Sequence, residues 1–299
     1  MAKFWLSTDS TCDLFVDYMD EHDIHHVPLT FMIERDGKIE EYLDEFTSYQ
    51  QYVDFYNTLR SGAISRTAML NYESHYNHFL KMAQAGAKDV VHFTISSGLS
   101  PTITVAEKAA AEVKKDYPDF TLYGVDPLTA TIGQGMLVRI AMEWRDKDKS
   151  AKETYDYIMS LRTKIQHFVI ADDLNYLMRG GRVSKTSAIV GGALGIKPVI
   201  SFDNNGKLFV LEKCRKMRGA FRSILEKLDK IPVDRNENRL IIVHNDNEKD
   251  ANELANLIEE KIGLRPEIFI MGPVIGSHVG PNAVSFGYLS TKERNDFGA

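Results

Sequence analysis

One pattern constrains this chain more than any other. Short apolar runs that end in hydroxyl, carboxylate, glycine or histidine residues alternate with longer stretches of helical periodicity. Residues 4–6 run into Ser7-Thr8-Asp9-Ser10-Thr11, residues 89–95 into Ser96-Ser97-Gly98-Leu99-Ser100, and residues 120–125 into Asp126-Pro127. Residues 167–171 run into Asp172-Asp173, 239–244 end at a histidine, and 267–271 read as a last buried strand before a Gly/Pro-rich loop, 272–281. Helices are predicted between them over 45–60, 102–115, 133–145, 152–164, 221–230 and 249–263. A further strand is expected at 26–31, followed by a turn at Arg35-Asp36-Gly37-Lys38. A small-residue helix is expected at 187–195, and a hairpin around Asp203-Asn204-Asn205-Gly206. Strand–helix alternation of this kind specifies an α/β fold. The length, 299 residues, suggests two domains. We place them at 1–162 and 163–299, each a central sheet flanked by helices.

Composition narrows the function classes. Hydrophobic residues are 43% and charged residues 26% of the chain, the mix of a globular domain. Lys plus Arg number 36 against 42 Asp plus Glu, a net charge of −6. Such a chain has no global attraction for nucleic acid or anionic lipid, so no nucleic-acid partner and only transient membrane contact are expected. No apolar run approaches the roughly 20 residues of a membrane span, and the start MAKFWLSTDSTCD turns polar too early for a signal peptide. Two cysteines, Cys12 and Cys214, cannot build a disulfide framework or a four-cysteine zinc site. A cytoplasmic protein with reduced thiols is expected.

In open α/β sheets, ligands bind beyond the carboxyl ends of the strands. The ends at Ser96-Ser97, Asp126 and His278 would then converge on one pocket. Ser96-Ser97-Gly98-Leu99-Ser100 joins a strand to a helix whose first N–H groups are unpaired, a setting that suits a carboxylate or phosphate, or serves only as a helix cap. It is neither a P-loop nor a nucleophile elbow. His278 would hydrogen-bond an anion or shuttle a proton. Asp172-Asp173 reads as helix capping, and His22, His25 and His26 as surface residues, so no metal site is expected. Arg179, Arg182, Arg215, Lys216 and Arg218 form a basic concentration that is either a solvated face or a docking patch for an acidic partner.

Several segments together resemble one family. Thr8-Asp9-Ser10-Thr11-Cys12-Asp13-Leu14 resembles the opening motif of the DegV family of fatty-acid-binding proteins. Ser65-Arg66-Thr67-Ala68-Met69, Ile95 through Ser100, Asp126 through Gly135 with Gly133-Gln134-Gly135 intact, Leu174 through Val183, Ile196-Lys197-Pro198 and Gly272 through Pro281 resemble its later motifs in the same order. Three positions depart from the pattern: Ala68 stands where the family has serine, Pro101 where it has glycine, and Asp126-Pro127 where it has Asp-Ser.

The resemblance implies two α/β domains, with a long-chain fatty acid held in the N-terminal domain at the interdomain cleft. The tail would lie in an apolar tunnel, and the carboxylate would be held by Thr67, Ser96, Ser97 and His278. It implies a carrier rather than an enzyme, without a cofactor, that presents its ligand to a partner fatty acid kinase for phosphorylation to acyl phosphate. Arg182 and Arg218 are the expected docking residues. Two alternatives stay open. One is a phosphotransferase subunit similar to that of dihydroxyacetone kinase, with His278 holding a triose. The other is a lipid sensor without a kinase partner.

Overall fold

The structure, a computed structural model, describes residues 4–184 and 195–294; the helix expected at 187–195 lies outside them except for Gly195. The first half contains β1 (Trp5–Asp9), α1 (Val16–Glu21), β2 (Ile24–Val27), β3 (Thr30–Arg35), β4 (Lys38–Leu43), α2 (Tyr49–Arg60), β5 (Ile64–Ala68), α3 (Tyr72–Gln84), β6 (Asp89–Phe93), α4 (Thr102–Asp116) and β7 (Thr121–Val125). Two helices follow, α5 (Ile132–Asp146) and α6 (Ala151–Leu161). The second half contains β8 (Ile165–Ile170), α7 (Asn175–Arg179), β9 (Ile196–Phe202), β10 (Leu208–Arg215), α8 (Lys216–Lys230), β11 (Leu240–His244), α9 (Glu248–Ile262), β12 (Glu267–Ile270), α10 (Pro273–Val279) and β13 (Val284–Leu289).

These strands form three sheets. The first is parallel, in the order β2-β1-β6-β7; the second is mixed, β10-β9-β8-β13-β11-β12; the third is the small antiparallel β4-β3-β5. Side-chain alternation along each strand decides what packs on which face. Trp5, Val90 and Leu122 of the first sheet meet α3 and α4, while Leu6, Val91 and Val125 join the central core with α5. In the second sheet, Phe168 and Ile170 pack under α8 and α9, while Ile165 and Val169 face the central core. Helix α5 therefore lies between two sheets. It is apolar nearly all round, with Ile132, Met136, Leu137, Val138, Ile140 and Ala141 buried, as a helix covered on both sides must be. We propose the domain boundary near residue 162, between the last strand of the first and third sheets and the first strand of the second.

The N-terminal end of α5 is fixed by Asp9, which is fully buried at the end of β1. Its carboxylate accepts from the Thr11 N–H and hydroxyl, from the Gln134 amide at 2.9 Å, and from the Ile95 N–H at 2.8 Å. Burial pushes its pKa up, against the pull of these hydrogen bonds. One side chain thus joins β1, the end of β6 and the first turn of α5.

Three expectations need correction. The strand expected at 26–31 is two strands in different sheets, because Pro28, which has no N–H to donate, separates β2 from β3. The segment at 267–271 is not the last strand: β13 follows it and pairs with both β8 and β11. The 272–281 stretch is not a loop, because Pro273 occupies the first turn of α10, where its missing N–H costs nothing, and Gly280 ends the helix at φ 80°.

Replacing Asp9 by alanine leaves four buried donors without their acceptor. Asp9→Ala is expected to lower unfolding free energy by about 3 kcal/mol in urea titrations; a loss below about 1 kcal/mol would show that this carboxyl does not anchor the junction.

Candidate functional site

A cavity lies where the loop leading into α5 (Ala130, Thr131), the inner face of β8 and β9, and helix α10 meet. Its walls are largely apolar: Leu29, Ile95, Leu99, Val169, Phe202 and Ile275 are among them. Ala68 and Met69 at the rim are exposed, so the mouth opens beside the end of β5.

The polar residues of the wall are few and are placed by their elements. Ser65 and Thr67 project from one face of β5, two residues apart. Ser65 Oγ meets Ser277 Oγ at 2.6 Å, and Thr67 Oγ1 meets His278 Nε2 at 2.8 Å. Two consecutive residues of α10 are thus pinned to one strand. Ser277 also donates to the Pro273 carbonyl at 2.6 Å. On its other side His278 rests against the turn after α7. A Cβ at Gly180 would lie 2.2 Å from His278 Nδ1, so the glycine there is a matter of space and not of backbone torsion. Arg182 follows the turn, lines the cavity, and donates to the Gly180 carbonyl. Burial and the nearby Arg182 charge push the His278 pKa down to about 4, so the imidazole is neutral at neutral pH. Burial also lowers the pKa of Arg182.

Thr67, His278 and Arg182 therefore come together on the cavity wall, although Arg182 was expected at a docking surface. Ser96 and Ser97 do not join them. The Ser96 hydroxyl is buried, donates to the Gly206 carbonyl at 2.9 Å and accepts from the Gly98 N–H at 3.1 Å. Ser97 is exposed, and its N–H is taken by Asp126 at 3.1 Å. The loop spends its polar groups on the tip of the β9–β10 hairpin. Gly98 packs so closely on it that a Cβ would lie 2.4 Å from Gly206. Ser100 is the serine of this loop that lines the cavity, its hydroxyl 2.8 Å from that of Thr102; spacing alone does not single it out. Arg218 is exposed on α8, paired with Glu253 at 3.1 Å, and does not line the cavity.

Other expected candidates settle into structural roles. Asp173 accepts from the Asn175 N–H at 2.9 Å, as a cap of α7, and Asp172 pairs with Lys197. Cys12 is buried, and burial pushes its thiol pKa well up, which leaves it un-ionised and a poor nucleophile. Among the described residues no cluster of His, Cys, Asp or Glu is placed to hold a metal ion, and no helix is long and apolar enough to cross a membrane.

Comparison with known proteins now bears on this geometry. The profile of the family described as an uncharacterised protein, DegV family, matches residues 3–291. A DegV domain-containing protein of Clostridium perfringens is 33% identical over 296 residues, covering 98% of this chain and 100% of that one. A protein of Thermotoga maritima named as a fatty acid-binding protein is 31% identical over 290 residues, covering 95% of this chain and 97% of its own. The crystal structure of a DegV lipid-binding protein from Thermotoga maritima has a TM-score of 0.83 to this fold at 29% identity, covering 97% of this chain and 99% of that one.

A histidine buried neutral makes stability depend on pH with a definite sign. The folded His278 holds its proton only below about 4, whereas the unfolded one holds it below the usual 6.5. Between those values the unfolded state binds the extra proton, so this contribution is present above 6.5 and is lost as pH falls toward 4. Replacement by phenylalanine keeps the ring and removes the titration. Wild type is therefore expected to lose stability relative to His278→Phe between pH 7 and pH 4.5 in denaturant titrations; parallel losses would show that His278 titrates normally.

Proposed function

Since the chain belongs to the DegV family, we propose that it binds a long-chain fatty acid, with the acyl tail in the apolar cavity and the carboxylate at its mouth. The observation that carries this reading is the meeting of Thr67, His278 and Arg182 on the wall of a largely apolar void. Burying about 14 methylenes is worth on the order of 11 kcal/mol before the costs of association, so the tail supplies most of the affinity. The head group needs partners, because a buried carboxylate without them is costly. With the Nε2–H of the neutral His278 donating to Thr67 Oγ1, the Thr67 hydroxyl proton is left to donate to it, and the Arg182 guanidinium supplies the opposite charge. The two Thermotoga maritima relatives, named as fatty acid-binding and lipid-binding, support the same ligand class. A triose fits less well in walls made of leucine, isoleucine, valine and phenylalanine.

The second half of the proposal is that the chain acts as a carrier, presenting the bound carboxylate to a partner kinase that supplies ATP and forms the acyl phosphate. It rests on the motif resemblance and on a carboxylate site that opens to solvent beside Ala68 and Met69. Arg182, drawn into the cavity wall, is assigned to the ligand rather than to docking.

Purified protein is expected to carry a long-chain fatty acid detectable by mass spectrometry after organic extraction, and the delipidated chain to take up labelled palmitate. Protein without lipid that takes up none would overturn the reading. The double variant Thr67→Val, His278→Phe should bind palmitate on the order of 10- to 100-fold more weakly. Arg182→Gln should also lose lipid; a variant that keeps its lipid while kinase turnover falls would return Arg182 to the docking role.

A further inference from the structure

The cavity wall contains a second histidine that the head-group site does not use. His167, on the inner face of β8, is fully buried and lines the same cavity as Thr67 and His278. Its ring is fixed from three directions. Nδ1 lies 3.0 Å from the hydroxyl of Thr129, in the loop before α5. The ring stacks on Phe202 with centroids 5.1 Å apart and planes 29° apart. Arg294 sits beyond Phe202, 5.8 Å from its centroid, and its guanidinium is occupied by the carbonyls of Ile165, Leu128, Asp203 and Arg162. Nε2, which points away from Thr129 across the ring, has no hydrogen-bond partner among the described residues.

A buried ring nitrogen without a partner is unusual enough to need an explanation. Here the residue lines the cavity, with Nε2 itself buried. The imidazole is also neutral, since burial and the Arg294 charge push its pKa down to about 3. It therefore offers one neutral donor or acceptor, the choice set by which proton Thr129 leaves on Nδ1. A neutral group that can donate or accept suits a neutral ligand atom such as a hydroxyl oxygen. Its neighbours in the wall, Val169 and Phe202, are apolar.

We propose that His167 is a specificity-determining residue that reads a hydroxyl on the acyl chain, so that the preferred ligand class is a monohydroxy long-chain fatty acid. The proposal deepens the fatty-acid reading and rests on it. In a wholly apolar tunnel, an added hydroxyl would weaken binding by up to about 100-fold. A positioned hydrogen-bond partner reverses that order, because the unmodified chain then leaves Nε2 unpaired.

The test is competition against labelled stearate on the delipidated full chain. The competitors are stearate itself and a positional series of monohydroxystearates, with the hydroxyl at carbons from mid-chain toward the methyl end. At least one hydroxy acid is expected to compete on the order of 10-fold better than stearate. In His167→Phe, which keeps the stack on Phe202, that order should invert. If stearate binds to wild type and every hydroxy acid competes more weakly, the His167 proposal is overturned and the fatty-acid reading stands. If neither stearate nor any hydroxy acid binds, the fatty-acid reading itself falls. If a hydroxy acid is preferred equally by wild type and His167→Phe, another group reads the hydroxyl and the assignment to His167 is overturned. The wild-type series is decisive even if the variant does not fold, because its ranking alone separates the first two outcomes.

Discussion

The buried carboxyl of Asp9 sets the spacing on which the cavity depends. It sits where β1 and β6 both end and takes its hydrogen bonds from Thr11, Ile95 and Gln134. The last of these is in the first turn of α5, where an acceptor with negative charge is favoured by the helix dipole. Fixing the start of α5 in this way fixes how far the helix reaches between the two large sheets. A helix with its side chains is about 10 Å across, so the sheets are held apart along its length. Ahead of its first residue nothing helical fills the gap. Ala130 and the residues around it border the void on that side, Val169 and Phe202 on the other, and α10 closes it.

That account explains why residues from both halves line one cavity. The strand-end rule placed a site beyond the carboxyl ends of the parallel strands, and the first sheet obeys it through Ile95 and the loop that follows. The second sheet contributes differently, through the inner face of β8 and β9. An expectation that placed the tunnel in the N-terminal half alone misses the cavity wall that β8 and β9 supply.

What was legible in the sequence follows from how local each signal was. Helix α4, rich in alanine, glutamate and lysine, and the hairpin around Asn205-Gly206 are written in adjacent residues and were read correctly. Strand β13 was not, because Gly287 interrupts its apolar run. The reason for that glycine is a helix distant in sequence: a Cβ there would lie 3.0 Å from Ile132 Cδ1. The small antiparallel sheet was also missed, since β4 is exposed along its length and has no apolar face to betray it. Ser96 and Ser97 looked like anion ligands because serines at a helix start usually have free donors. Here a hairpin more than 100 residues downstream takes the Ser96 hydroxyl, and Asp126 takes the Ser97 N–H. No local pattern could have announced either partner.

The two histidines of the cavity wall show how an apolar void can hold polar groups without becoming unstable when empty. Each has one ring nitrogen hydrogen-bonded to a threonine hydroxyl, Thr67 for His278 and Thr129 for His167. Each is held neutral by burial and by a nearby arginine. A protonated imidazole in such a setting would need a counter-ion that the empty cavity lacks. The neutral ring asks only for one more hydrogen bond. The two arginines differ in what they leave for a ligand. The Arg294 guanidinium is held by four backbone carbonyls and is not among the cavity-lining residues. Among the described residues Arg182 donates to one carbonyl, in the same loop, and it lines the cavity with His278, where the proposed reading places the carboxylate. On that reading the same threonine–histidine device yields an anion site at one place and a neutral polar site at the other, according to whether its arginine lines the cavity.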